Sequence, residues 1–367
     1  MNQRRRLTAA LVSVCALIAT GCSLSGSDTA GDRPAAASTP TETSPSETAG
    51  SEDSEASSET PTTPAEEVEE VEDAEDAEDS AQHPSLSDYF DQVPDASPVR
   101  LGRVREETAA YTSYDVSYDS DGLRITGVLN VPTGPGPFPA VVLAHGWIER
   151  DVYVTGQGMT RERGYLAEQG YVALHVDYRE HAESDDDPEL VRQLYRGYAV
   201  DVLGAVSALR ASDLPVDDEQ IALMGRSMGG SVVLQALVMA PGFVDAGIVY
   251  SGQSSLESDN YRQWGGPSGD YADEFASLHG TPDENAAAWR DMSPRPYFTR
   301  VTEPVLMIHG TRDEQCPAEW ASATEAALAE ADVDVQLNWY RDERHAFIPQ
   351  FDQSMADSVA FLQRRLT

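Results

Sequence analysis

The chain has 367 residues, 25 Lys plus Arg against 63 Asp plus Glu, a formal net charge of −38 and 40% hydrophobic residues. So large an acidic excess argues against nucleic acid as a partner, because binding a phosphate backbone takes clustered cations. The length leaves room for one sizeable α/β core beside a non-globular segment.

Arg4-Arg5-Arg6 precedes the apolar run Leu7 to Ala19, which is too short for a stable transmembrane helix and has the form of a secretory signal. The run ends at Ala19-Thr20-Gly21-Cys22, which resembles a bacterial lipobox with Ala19 where leucine is usual. Residues 1–22 are expected to be a lipoprotein-type signal, with Cys22 lipidated and the protein anchored at the outer face of the cell membrane. Cleavage without lipidation, giving a secreted protein, is the alternative. Residues 23–97 hold 21 Asp plus Glu against Arg33 alone, and this composition predicts a disordered acidic tether. Like charges such as those of residues 68–79 repel and extend it. Cys15 leaves with the signal and Cys22 would be acylated, so Cys316 stands alone and stability must come from the core rather than a disulfide.

From residue 98 onward the pattern becomes that of a folded domain. Strands are predicted at Ser113 to Tyr118 and Arg124 to Val131, joined as a hairpin through Asp119-Ser120-Asp121-Gly122. Six more follow at Ala140 to Ala144, Val172 to Val176, Ile221 to Met224, Ala246 to Tyr250, Pro304 to Ile308 and Val335 to Tyr340. Helices are predicted near Met159 to Gln169, Glu189 to Arg210, Gly229 to Met239, Ala318 to Ala331 and Asp352 to Arg365. Strand–helix alternation implies a mostly parallel eight-stranded sheet covered on both faces. Residues 252–301 interrupt it and carry Tyr261, Trp264, Tyr271, Phe275 and Trp289. They read as a small cap whose aromatics either line a pocket or pack the insertion itself.

Chemistry concentrates at three strand ends. Gly225-Arg226-Ser227-Met228-Gly229 follows an apolar strand and opens an apolar helix, the pattern of a nucleophile elbow with glycines where the tight turn leaves no space. Asp313 follows the strand ending at Ile308, and His345 follows the one ending at Tyr340. In a parallel sheet these carboxyl ends share one edge, so Ser227, Asp313 and His345 can converge as nucleophile, orienting acid and general base. The oxyanion would be held by Met228 N–H and, from the loop after the strand Ala140 to Ala144, by Trp147 N–H. Glu314 and Asp342 adjoin these positions without matching them. His145, His175 and His309 read as structural, and the 180–187 segment matches no strong metal motif.

Three stretches carry a family resemblance: Phe138 to Trp147, Gly225 to Gly230, and Ser293-Pro294 with Glu303 to Asp313 and Cys316-Pro317. Residues 108–367 thereby resemble the α/β-hydrolase superfamily, within it the catalytic domain of prolyl oligopeptidase-type serine peptidases and the dienelactone-hydrolase-like esterases. The resemblance implies an α/β-hydrolase fold and a serine hydrolase acting on a small ester or short peptide without cofactor or metal. The size-screening β-propeller of those peptidases has no room here, and Cys316 stands where valine is frequent. Esterase, peptidase and envelope acyltransferase therefore remain open, with a non-catalytic binding module the least supported.

Overall fold

The computed structural model describes residues 83–366. The signal, Cys22 and most of the acidic segment lie outside them. The described part is built on one nine-stranded sheet in the order β1-β2-β3-β5-β4-β6-β7-β8-β9. The first three strands, β1 (Arg100–Glu107), β2 (Tyr111–Ser120) and β3 (Leu123–Pro132), form an antiparallel meander. Strands β4 (Phe138–Ala144), β5 (Val172–Val176), β6 (Val216–Arg226), β7 (Ala246–Tyr250), β8 (Val305–Gly310) and β9 (Val335–Tyr340) run parallel. Sequence patterning anticipates eight of these. The ninth, β1, is exposed at every residue and so carries none of the alternation that betrays a half-buried strand.

Side-chain alternation sorts the strands into two cores. Val142, Ala144, Leu174, Val176 and Leu223 face helices α2 (Gly197–Arg210), α3 (Met228–Met239) and α7 (Ala318–Glu330). Val141, Leu143, Ala173, Ala222, Met224, Ile248 and Ile308 face α1 (Thr160–Glu168) and α8 (Phe351–Arg365). Every residue of α3 is buried, which matches its unbroken apolar run. The insertion folds as α4 (Glu257–Trp264), α5 (Asp273–His279) and α6 (Ala286–Asp291) around a small core that contains Phe275, Trp289 and Met292.

Two boundaries move furthest. The helix expected from Glu189 starts at Gly197 instead, because Leu194 and Tyr195 take positive φ of 50° and 61° and helical geometry cannot pass through such residues. The tether boundary drawn at 97 falls inside folded structure. Leu86 is fully buried in the main core, Tyr89 Oη donates to Gln193 at 2.7 Å, and Arg300 lies 3.9 Å over the Phe90 ring and pairs with Asp91 at 2.6 Å. Four anchoring side chains among polar neighbours are too few for composition to distinguish from a linker.

Candidate active site

Sheet order reverses around β4, which lies between β5 and β6, and an open parallel sheet forms its crevice beside such a switch at the carboxyl ends of the strands. Ser227 occupies the turn from β6 into α3 with φ 56° and ψ −121°, a region that costs a residue with a Cβ about 1–3 kcal/mol. Neighbouring packing holds it there. Its N–H donates to Tyr250 O at 3.0 Å, and its carbonyl accepts from Gly230 N at 2.9 Å and Gln253 N at 3.2 Å. A Cβ at Gly225 would lie 1.9 Å from Gly229 O, and one at Gly229 would lie 1.9 Å from Ala144 O. Both glycines are therefore required by close backbone approach.

Asp313 and His345 come together as their strand-end positions imply. His345 Nδ1 lies 2.9 and 3.0 Å from the two carboxylate oxygens of Asp313, whose side chain is fully buried. Gln315 N and Cys316 N each donate to Asp313 Oδ1 at 2.9 Å. Burial alone would raise the Asp313 pKa; the His345 hydrogen bond and charge and these two N–H groups outweigh it and hold the carboxyl below its usual range. Ser227 and His345 line one cavity of about 840 Å3. No direct hydrogen bond joins Ser227 Oγ to His345 Nε2 here; in sites of this kind that contact often tightens only around a bound substrate. Cys316 is buried behind the serine. Desolvation and the Asp313 charge push its thiol pKa up, against the effect of the Ser227 hydroxyl.

The loop after β4 reaches the serine directly: a Cβ on Gly146 would sit 3.1 Å from Ser227 Cβ. Trp147 follows on the cavity wall, 39% exposed, and Met228 opens α3. Neither Trp147 N–H nor Met228 N–H has an acceptor among the described residues. Beneath this loop His145 is fully buried, its ring nitrogens 2.6 Å from Gly146 O and 3.3 Å from Asp177 O. It stacks on Tyr153 and His175 and meets His181 edge-on. Burial, reinforced by His181, lowers its pKa to about 3. His309 backs the pair from the other side, donating to Cys316 O at 2.9 Å and lying 3.7 Å from Asp313.

The structure divides the insertion aromatics. Trp264 and Tyr271 line the cavity, whereas Phe275 and Trp289 belong to the insertion's own core and Tyr261 packs against it. Tyr195, stacked on Tyr271 at 5.7 Å and edge-on to Trp147 at 5.4 Å, completes an aromatic wall that sequence reading missed. No periodic signal marks it, because it stands in the irregular positive-φ turn before α2. Glu149, Arg150, Arg226 and Gln253 also border the cavity. Among the described residues no group of three or more His, Cys, Asp or Glu is placed to hold a metal. Glu180 pairs with Arg150, and Asp187 with Arg179.

This elbow, acid loop and histidine loop on one sheet edge agree with a match of residues 158–367 to the prolyl oligopeptidase family. The chain belongs to that family of serine hydrolases. It is 32% identical over 189 residues to mouse prolyl endopeptidase FAP, covering 49% of this chain and 23% of that protein. It is 25% identical over 246 residues to the uncharacterized peptidase YtmA of Bacillus subtilis, covering 65% and 87%. The chain thus spans about a quarter of the first relative and most of the second. Two solved structures share the α/β-hydrolase fold. Pyrococcus horikoshii acylaminoacyl peptidase has a TM-score of 0.57 at 23% identity, over 71% of this chain and 42% of that one. Acetyl xylan esterase from Paenibacillus sp. R4 has a TM-score of 0.58 at 21% identity, over 77% and 91%.

Proposed function

We propose that this prolyl oligopeptidase-family chain is an exported, membrane-anchored hydrolase that cleaves carboxylic esters or short peptides through an acyl-serine intermediate. The observation that carries this reading is the Asp313–His345 bond facing the cavity that also exposes Ser227 at its strained elbow. Ser227 Oγ attacks the substrate carbonyl while His345 Nε2 accepts its proton. Asp313 holds Nδ1–H and stabilises the imidazolium. The tetrahedral oxyanion takes hydrogen bonds from Met228 N–H and Trp147 N–H, both without an acceptor among the described residues. His345 then protonates the leaving group, and water hydrolyses the acyl-serine by the same route in reverse. An envelope acceptor in place of that water would make the enzyme an acyltransferase.

Fluorophosphonate labelling of the purified protein, with turnover of aryl esters and aminoacyl amides, tests the reading. Labelling at Ser227 and turnover of one substrate class support it; labelling that survives Ser227→Ala refutes the site. The anchor rests on Ala19-Thr20-Gly21-Cys22. It predicts a diacylated N-terminal peptide, and an unmodified Cys22 in mature membrane-fraction protein would exclude it.

A further inference from the structure

His345 sits on a loop, and the serine reading requires its imidazole to be held to a fraction of an ångström, since a displacement of about 1 Å can cost on the order of 100-fold in rate. Asp313 fixes the ring, but two arginines fix the backbone. Arg226 Nη2 donates to His345 O at 2.5 Å. Arg161, from the first turn of α1, donates to the next two carbonyls, Ala346 O at 3.0 Å and Phe347 O at 3.2 Å. Three consecutive main-chain carbonyls of the histidine loop are thus taken by two guanidinium groups.

Those groups are joined by one carboxylate. Glu162, whose side chain is 2% exposed, accepts from Arg226 Nη1 at 3.0 Å and lies 3.7 Å from Arg161 Nη2. Arg226 also lies over Tyr250, whose carbonyl receives the Ser227 N–H, and Arg161 over Phe351 at the start of α8. On the other flank the buried Glu343 accepts from Ile348 N and Gln350 N, so the loop is gripped from both sides. The grip is needed because Phe347 has φ 48°, a conformation an unsupported loop would leave.

We propose that Arg226, Glu162 and Arg161 form a positioning clamp that sets His345 relative to Ser227. Arg226 is the residue immediately before Ser227, so the clamp ties the general base to the nucleophile's own turn and to α1. It rests on the serine-hydrolase reading above. Arg161 and Glu162 stand outside the cavity wall, so replacing them leaves the substrate's surroundings unchanged.

The test compares R226M, R226K, E162Q and R161M with wild type and S227A, all scaled to folded protein by circular dichroism. The readouts are the second-order rate of fluorophosphonate labelling and kcat and KM on a small aryl ester. R226M is expected to slow labelling and kcat by about 10- to 100-fold, and E162Q and R161M by about 10-fold. KM on the small ester should move less than about threefold in E162Q and R161M, whose positions lie outside the cavity wall, and R226K should recover part of the rate lost in R226M. A loss of kcat with KM nearly unchanged in E162Q and R161M, together with partial rescue by R226K, is an outcome that lost folding alone would not produce. R226M/E162Q should be no slower than R226M, because the residues act as one unit. Wild-type rates in the clamp variants, with labelling abolished in S227A, overturn the clamp alone. Labelling that persists in S227A overturns the serine reading beneath it. If R226M does not fold, E162Q and R161M carry the same comparison.

Discussion

Replacing His145 with glutamine should change how the stability of the domain depends on pH, by an amount the structure allows to be worked out. His145 is fully buried, and burial lowers its pKa from 6.5 to about 3. Because the folded value lies below the unfolded one, its contribution is undiminished above pH 6.5 and is lost as pH falls below that, where only the unfolded chain takes up the proton. At pH 4.5, two units below the unfolded value and still above the folded one, the loss is about 3 kcal/mol at ~1.4 kcal/mol per unit. The wild-type curve alone cannot isolate it. Burial raises the pKa of Asp177, Asp201 and Glu303, and raised carboxyls gain stability on acidification. His175 and His181, both lowered by burial first, act in the same direction as His145. The difference between wild type and His145→Gln removes these shared terms. Urea unfolding of both proteins at pH 7 and pH 4.5 should show wild type more stable at neutral pH, with that advantage shrinking by about 3 kcal/mol in acid. An advantage unchanged between the two pH values would mean that His145 is already solvated or charged in the folded state, and the reasoning from burial would fail.

Three further outcomes follow from the geometry. Ser227→Ala and His345→Ala should each lower kcat by about 10⁴-fold or more, the double variant hardly further, and Asp313→Asn somewhat less; additive losses in kcat would place the serine and histidine in separate steps. Leu86→Ala should destabilise the domain by about 2–5 kcal/mol, and a chain beginning at residue 98 should melt well below one beginning at 83; equal melting temperatures would return residues 83–97 to the tether. Gly229→Ala, whose Cβ would meet Ala144 O at 1.9 Å, should fail to fold or lose several kcal/mol, whereas Gly170→Ala, with φ of 88° and nothing within 4 Å, should lose only about 1–2 kcal/mol of backbone strain; comparable thermal shifts in the two would show that the elbow relaxes.

The features legible in the amino-acid order are those whose chemistry is local. Gly225 and Gly229 around Ser227 announce a turn that only glycine permits, and short apolar runs ending just before Asp313 and His345 place both at strand termini. Parallel-sheet topology then brings three distant residues to one edge. Other features arise from contact between segments that carry no pattern of their own, and so emerge only in the folded chain. β1 is an exposed edge strand, stabilised by pairing with β2 rather than by a buried face. Leu86, Tyr89 and Phe90 belong to the domain because the surface of α3 and residues near Gln193 and Tyr297 receive them. Tyr195 joins the pocket through an irregular turn, and of Tyr261, Trp264, Tyr271, Phe275 and Trp289 only Trp264 and Tyr271 face the cavity. Arg161, Glu162 and Arg226 read in sequence as ordinary charges on a helix and in a turn. They acquire a shared task only where α1, the elbow and the histidine loop meet, because hydrogen bonds to main-chain carbonyls leave no mark on the identity of the residues that supply them.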